Sequence, residues 1–460
     1  MMMMSTAQAA TILLAFSATF FVARSAIPEH LVSSLPGFDK PLPSGQYSGY
    51  LPVDTAPASK HYRFLHYWFS ESLNDPKTDP IVLWLTGGPG CSSMAGYFLE
   101  LGPILTNAST SDVQLLANPY TWCQNASVIF LESPAGVGFS YSTNKNDYNT
   151  NDTRTAEDNY QFLLNFFEAY PEYAKNDFYI AGESYAGIYV PTLADVINKA
   201  GTPSNGLAPI NLKGFLVGNG CVGNKVGGCG VSPQSIPIAI KFLFGHGIMS
   251  EKLYDQLLEA CGPSLNKTAT TACSKLIHSY MNLTNGINVY NIYEPCIPSG
   301  DDIFWTTSNQ MVGYTECGSP GGLLTYMNEA EVREAIHVKS EAELGKWEFC
   351  ASFNYTGNTD SLLDVYPHLI EKYRILIYSG DVDACVPYIG SEEWTSSLGY
   401  KVKEEWRPWM LDDQIAGYVT EYDANGFTFA TIKGAGHQAP LYKPPQSLAM
   451  FARFIANVDL

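Results

Sequence analysis

Positive charge is scarce in this chain: 26 Lys and Arg stand against 45 Asp and Glu over 460 residues, a formal net charge of −19. That balance excludes the basic face a nucleic-acid binder needs. It suits solubility in an acidic compartment. Long apolar runs are scarce too. Past a stretch from Ala9 to Ala23, nothing reaches the ~18 uninterrupted apolar residues of a membrane span, so the mature chain is not expected to insert stably in a bilayer. Metal-binding spacings are missing: there is no C-x-x-C or H-E-x-x-H, and His61 and His66 are off helical register, so no metal and no cofactor is expected. Internal repeats and low-complexity tracts are absent, and with them repeat architectures.

What is present begins with a leader. The Ala9 to Ala23 run ends in the small-residue segment Ala23-Arg24-Ser25-Ala26. Residues 1–25 therefore read as a signal peptide, although no positive charge precedes the apolar run; an uncleaved anchor is the alternative. Ten cysteines follow, an even set that behind a leader suggests disulfides. Cys221 with Cys229, and Cys261 with Cys273, are close enough in sequence to pair locally, while Cys385 is either paired or a free thiol. Six acceptor sequons begin at Asn107, Asn125, Asn151, Asn266, Asn282 and Asn354 and suit a glycoprotein. The expected location is the secretory pathway, vacuolar or lysosomal or extracellular.

Chemistry is concentrated in three loops, each after an apolar strand-like run. Phe178-Tyr179-Ile180-Ala181 leads into Gly182-Glu183-Ser184-Tyr185-Ala186-Gly187, and a helix-compatible run from Ile188 to Asn198 follows. A serine on such a tight strand-to-helix turn is a nucleophile elbow, although Ala186 stands where the strict G-x-S-x-G pattern has its second Gly. Ile375-Leu376-Ile377-Tyr378-Ser379 runs into Gly380-Asp381-Val382-Asp383, and Phe427 to Ile432 runs into Gly434-Ala435-Gly436-His437. Serine, then carboxylate, then histidine, each at the C-terminal end of a strand, is the order of α/β-hydrolases, and it puts all three on one rim of an open sheet. The three residue types form a working set. An imidazole takes the serine proton and later returns one to the leaving group, and a carboxylate fixes the imidazole tautomer. Ser184 is the expected nucleophile, His437 the base and acid, and Asp383 the orienter; Asp381 competes and is expected to brace the loop instead.

A fourth loop completes the set. Strand Ile81 to Leu85 precedes Thr86-Gly87-Gly88-Pro89-Gly90-Cys91-Ser92-Ser93. It lacks the G-x-x-x-x-G-K-[ST] pattern and any nearby lysine, so it is not a phosphate loop. Its bare backbone can instead donate to an oxyanion, pointing to the amides of Gly88 and Tyr185.

These motifs, together with Leu131-Glu132-Ser133-Pro134-Ala135-Gly136-Val137-Gly138-Phe139-Ser140-Tyr141-Ser142 and Gly218-Asn219-Gly220, resemble the serine carboxypeptidase family from about Tyr47 to the C-terminus. The resemblance implies the triad Ser184, Asp383 and His437. It implies that Glu100 and Glu183 share a hydrogen bond and hold the substrate's terminal carboxylate, with Thr86 and Gly87 alongside. It also implies a Cys91–Cys350 disulfide. One departure stands out: the family's peptidases usually carry Asn at the position of Thr86. Some plant acyltransferases of the family resemble the chain there, whereas Glu183 and Ala186 match the peptidases.

The expected fold is an α/β-hydrolase, a central mixed, mostly parallel sheet flanked by helices, with a disulfide-containing helical cap insertion. Residues 26–222 and 323–460 supply the core. Residues 223–322 hold five of the ten cysteines and break the strand–helix alternation; they are the cap, or simply more core helices. The expected function is a serine-type carboxypeptidase releasing C-terminal residues from peptides and proteins at acidic pH through an acyl-enzyme. An acyltransferase, and a catalytically idle binding protein on the same fold, are the alternatives. The sequence leaves oligomeric state open and is compatible with a homodimer.

Overall fold

The computed structural model describes residues 27–54, 62–106, 113–201, 208–229, 234–265, 270–295, 306–307, 310–311 and 321–460. The leader, His61, Asn107, Asn266, Cys296 and Cys317 lie outside them, as does the side chain of Asn282.

One sheet organises the chain. Its strands are β1 (Gln46–Pro52), β2 (Arg63–Ser70), β3 (Ile81–Leu85), β4 (Ser127–Leu131), β5 (Tyr141–Ser142), β6 (Phe178–Glu183), β7 (Leu212–Gly218), β8 (Arg374–Gly380), β9 (Val402–Leu411), β10 (Gln414–Tyr422) and β11 (Thr428–Ile432). The 11 strands run in the order β1-β2-β4-β3-β6-β7-β8-β11-β10-β9, with β5 paired to β2. From β4 to β11 the neighbours are parallel; β1, β2, β10 and β9 add antiparallel edges.

The parallel centre follows from composition. Strands covered on both faces are apolar at every position, and Ile81-Val82-Leu83-Trp84-Leu85 is buried throughout. Its side chains alternate between two layers, as a period of two requires: Val82 and Trp84 enter one, Ile81, Leu83 and Leu85 the other. The helices used below are α1 (Asp152–Ala169), α2 (Ala186–Ala200), α3 (Ser235–Gly245), α4 (Glu251–Cys261), α5 (Thr271–Met281) and α6 (Pro444–Ala456). Phe162 and Phe166 of α1 and Leu193 of α2 close the second layer, and Met450 and Phe451 of α6 close the first. Pro444 opens α6, where the missing N–H breaks no helical bond.

Between β7 and β8, helices α3, α4 and α5 gather around a small apolar cluster that includes Ile240, Phe242 and Leu257. The Cys221–Cys229 and Cys261–Cys273 disulfides tie this region. Its later part returns to the sheet's rim: the Ala384 amide donates to Val289 O at 2.9 Å and the His437 amide to Tyr290 O at 2.7 Å. The long β9–β10 hairpin has no counterpart in the sequence reading. Strand β9 is exposed at most positions, so it lacks the apolar run by which a strand is recognised.

Candidate active site

Strand β6 ends at Glu183 and α2 begins at Ala186, so Ser184 sits in a two-residue turn. Its φ is +62°, a left-handed conformation that costs a non-glycine residue about 1–3 kcal/mol. Backbone bonds hold it: Ser184 N donates to Gly218 O at 3.0 Å, Gly187 N to Ser184 O at 2.9 Å, and Cys221 N to Ser184 O at 3.0 Å. The crowding explains the broken motif. A Cβ on Gly182 would meet Leu85 O and come within 2.7 Å of the Ala186 Cβ, and one on Gly187 would meet the Cys221 backbone. The turn needs glycine at 182 and 187, while Ala186 fits.

Two loops bring the acid and the imidazole together. His437 Nδ1 lies 2.7 Å from Asp383 Oδ2, both side chains being buried. Asp383 also receives the Cys385 amide at 2.8 Å, the Val386 amide at 3.1 Å and Asn219 Nδ2 at 2.9 Å. With Nδ1–H donated to the carboxylate, neutral His437 presents its Nε2 lone pair. That nitrogen is buried and has no hydrogen-bond partner, so no bond joins it to Ser184 Oγ here; nucleophile–base contacts often tighten only with substrate bound. Asp381 is used differently, accepting the Gly434 amide at 2.6 Å. That bond ties the loop after β8 to the loop after β11.

Asn219 stitches the rim together. Its Oδ1 accepts the Gly380 amide at 2.9 Å and its own amide donates to Tyr378 O at 2.8 Å. Through Gly218, Asn219 and Asp383, the ends of β6, β7 and β8 are linked to the loop after β11. The sequence quoted Asn219 only within a motif and gave it no role. It takes a positive φ of 41°, a region Asn tolerates better than most residues.

The loop after β3 lies against the elbow. A Cβ on Gly87 would meet Tyr185 N and sit 2.8 Å from the Ser184 Cβ, so only glycine allows this approach. Gly88 takes φ +111°, another glycine conformation. Tyr185 precedes the first turn of α2, where amides lack intrahelical partners. The Gly88 and Tyr185 amides are thus carried on two backbone segments that meet beside Ser184. The Cys91–Cys350 disulfide anchors this loop. Behind it, Glu132 is fully buried and receives Ser92 Oγ, Trp347 Nε1 at 2.9 Å and the Phe139 amide at 2.7 Å, with His66 Nδ1 at 2.8 Å.

Glu100 and Glu183 lie side by side, close enough for one carboxyl to hydrogen-bond the other once protonated. Both are buried. Desolvation pushes Glu100 up to about 7. Desolvation, then the neighbouring Glu100 charge, pushes Glu183 well above the usual carboxylate range. Gln438 Nε2 donates to Glu100 Oε1 at 3.4 Å, and Oε2 of each glutamate is buried with no donor from any other group on it. Such a pair holds a proton at neutral pH and can donate it. Thr86 is buried nearby in sequence, its Oγ1 accepting Trp84 Nε1 at 3.0 Å, which leaves one hydroxyl proton to give.

Among the described residues, Asp383, Cys385 and His437 offer metal-ligating atoms within 4.8 Å of one another, but Asp383 and His437 are already bonded together. Cys385 and the buried Cys123 are free thiols. Of the sequons, Asn125 and Asn151 are half-buried and Asn354 is exposed. The Asn151 oxygen caps α1 by accepting the Arg154 amide at 2.9 Å. Among the described residues no helix is long and apolar enough to cross a membrane.

The comparisons with known proteins agree with this geometry. A family model described as serine carboxypeptidase matches residues 36–457. Serine carboxypeptidase-like 20 of Arabidopsis thaliana is 40% identical, covering 95% of each chain. Serine carboxypeptidase 1 of Hordeum vulgare is 38% identical, covering 93% of each. Among solved structures, the Kex1 prohormone-processing carboxypeptidase of Saccharomyces cerevisiae superposes with a TM-score of 0.75 at 22% identity, over 95% of this chain and 98% of that one. This last likeness bears on the fold, an α/β sheet flanked by helices.

Proposed function

The chain belongs to the serine carboxypeptidase family, and from that premise we propose that it removes C-terminal residues from peptides and proteins through an acyl-enzyme on Ser184. His437 Nε2 takes the Ser184 proton as Oγ attacks the scissile carbonyl, and Asp383 stabilises the imidazolium. The oxyanion lies under the Gly88 and Tyr185 amides, where one donor is typically worth about 10²–10³ in rate. His437 then protonates the leaving amine and activates the water that frees the enzyme.

The observation that carries a carboxypeptidase reading, rather than a general esterase, is the burial of Glu100 and Glu183 side by side, which raises both carboxyls and favours a proton on the pair. Two anions would repel a terminal carboxylate, whereas a protonated carboxyl donates to it. Thr86 and Gly87 would line the same end. The pair favours work at acidic pH, in keeping with the net charge of −19 and with a secretory, vacuolar or lysosomal setting after removal of the leader. Residues 223–322 would form the cap that shapes the side-chain pockets.

The threonine at 86, with its single donor, favours an acyltransferase as the second reading. A blocked dipeptide acid, its amide and an activated ester, each incubated with the protein at mildly acid pH, separate the readings. Release of the free C-terminal residue from the acid, lost in Ser184→Ala, supports the peptidase. Turnover of the ester alone supports the transferase, and no turnover of any of them leaves a binding protein.

A further inference from the structure

Asp152 is the first residue of α1 and is completely buried. Every polar contact it makes is to a donor. Tyr185 Oη gives to Oδ1 at 2.9 Å and Tyr355 Oη to the same oxygen at 2.8 Å. The Thr359 amide gives to Oδ2 at 2.7 Å and Asn224 Nδ2 at 3.3 Å. Two donors on each oxygen bring this carboxylate close to the number it can take. The donors come from three places distant in sequence: the elbow, the loop after β7, and the 354–359 segment, which pairs in parallel with 149–151 just ahead of α1.

One donor is special by position. Tyr185 follows the strained Ser184, and its amide is one of the two assigned to the oxyanion. Its Cα is the hinge between the left-handed serine and the first turn of α2. Its phenol is a rigid lever with two rotatable bonds, and the far end is held by Asp152, with Asn224 Oδ1 at 3.0 Å from the same Oη. The ring is also boxed edge-on, with Tyr189 at 5.4 Å and Tyr355 at 5.8 Å between centroids. Fixing both ends of the lever fixes the residue between them, so the direction of its N–H does not drift as charge develops on the oxyanion.

We propose that Asp152 is a positioning residue for the oxyanion site, acting through the Tyr185 phenol on the Tyr185 amide without touching substrate. The inference rests on the acyl-enzyme reading above but not on the identity of the leaving group. A misplacement of about 1 Å at a reacting centre can cost 10²-fold, and deleting an oxyanion donor about 10²–10³. Loosening the lever should cost less, about tenfold. Interactions within one contact network are non-additive, so Asp152→Asn and Tyr185→Phe should each lower kcat about tenfold and the double variant little further, with KM for a blocked dipeptide acid within about twofold throughout.

The test adds a readout that does not depend on the peptidase reading: the rate at which a fluorophosphonate labels Ser184. There the Oγ–P bond forms, fluoride leaves, the serine proton passes to His437, and the phosphoryl oxygen occupies the oxyanion site. Labelling of both variants should slow in parallel with kcat. Asp152→Ala serves as the folding control, its melting temperature falling more than that of Asp152→Asn. Labelling and kcat at the wild-type rate in a folded Asp152→Asn would overturn the proposal while leaving the peptidase reading intact. So would additive losses in the double variant, or a loss confined to KM. If the wild type fails on every peptide acid, the peptidase reading falls and the labelling rates alone decide the role of Asp152.

Discussion

The Glu100–Glu183 pair makes a prediction that separates a carboxylate clamp from an ordinary acidic pocket. The perturbation is pH, read with two substrates differing in one group: a blocked dipeptide acid and its amide. Burial holds Glu100 near 7 and Glu183 higher. As pH passes about 7 Glu100 ionises first, and above the higher Glu183 value the pair loses its shared proton and the clamp changes from a donor to an anion facing an anion. For the acid, kcat/KM should fall about tenfold per unit, the slope of a single proton. The fall has a floor. An added charge about 4 Å from the substrate carboxylate is worth about 1 kcal/mol in water and about 4 kcal/mol at an effective dielectric of 20. The pair is buried, so the upper figure is the closer guide and the curve should level off about two to three decades down. The amide carries no terminal charge and should show no such limb. The double variant Glu100→Gln/Glu183→Gln, which cannot titrate there, should lose the limb for the acid as well. Parallel profiles for acid and amide, or a flat acid profile into the alkaline range, would refute the reasoning.

Other consequences can be measured on the same protein. Asp383→Asn should cut kcat about 10⁴-fold by fixing the wrong imidazole tautomer, while Asp381→Asn, whose side chain accepts the Gly434 amide rather than the imidazole, should cost under tenfold; equal losses would reverse the assignment. Gly87→Ala should lower kcat by about 10²–10³, because its Cβ would press on Tyr185 N and lie 2.8 Å from the Ser184 Cβ; unchanged turnover would remove this loop from the site. Stability should also follow the glutamates. Their native values lie above the unfolded one of 4.5, so from about pH 4.5 to about 7 the native state keeps a proton that the unfolded chain releases. Unfolding free energy should then decline by about 1.4 kcal/mol per pH unit per retained proton. Chemical denaturation of wild type against the double Gln variant isolates this contribution, and equal slopes would contradict it.

Much of this site was legible in the sequence because its parts follow strands of unmistakable composition. Ile81 to Leu85, Phe178 to Ala181 and Ile375 to Tyr378 are apolar throughout, as parallel strands buried on both faces tend to be. The loops after them could therefore be placed on one rim before any coordinates. The choice of Asp383 over Asp381 rested on loop context, and it is Asp383 that lies against the imidazole. Residues that act through contacts distant in sequence were not legible. Asn219, Gln438, Tyr290 and Asp152 bear no local mark of their partners, which arrive from up to 338 residues away in the case of Gln438 and Glu100. The β9–β10 hairpin was missed for the opposite reason. Strand β9 is exposed at most positions, so it need not carry the alternation that a half-buried strand must keep.

The central claim is that Ser184 carries the acyl group during turnover, and it is open to direct observation. An activated acyl ester is mixed with the protein, quenched with acid within milliseconds, and the digest analysed by mass spectrometry. The account predicts the acyl mass on the peptide containing Gly182-Glu183-Ser184, forming and decaying at rates consistent with kcat, and absent from His437→Ala. Sustained turnover with no acyl adduct, or with the adduct on any other residue, would contradict it.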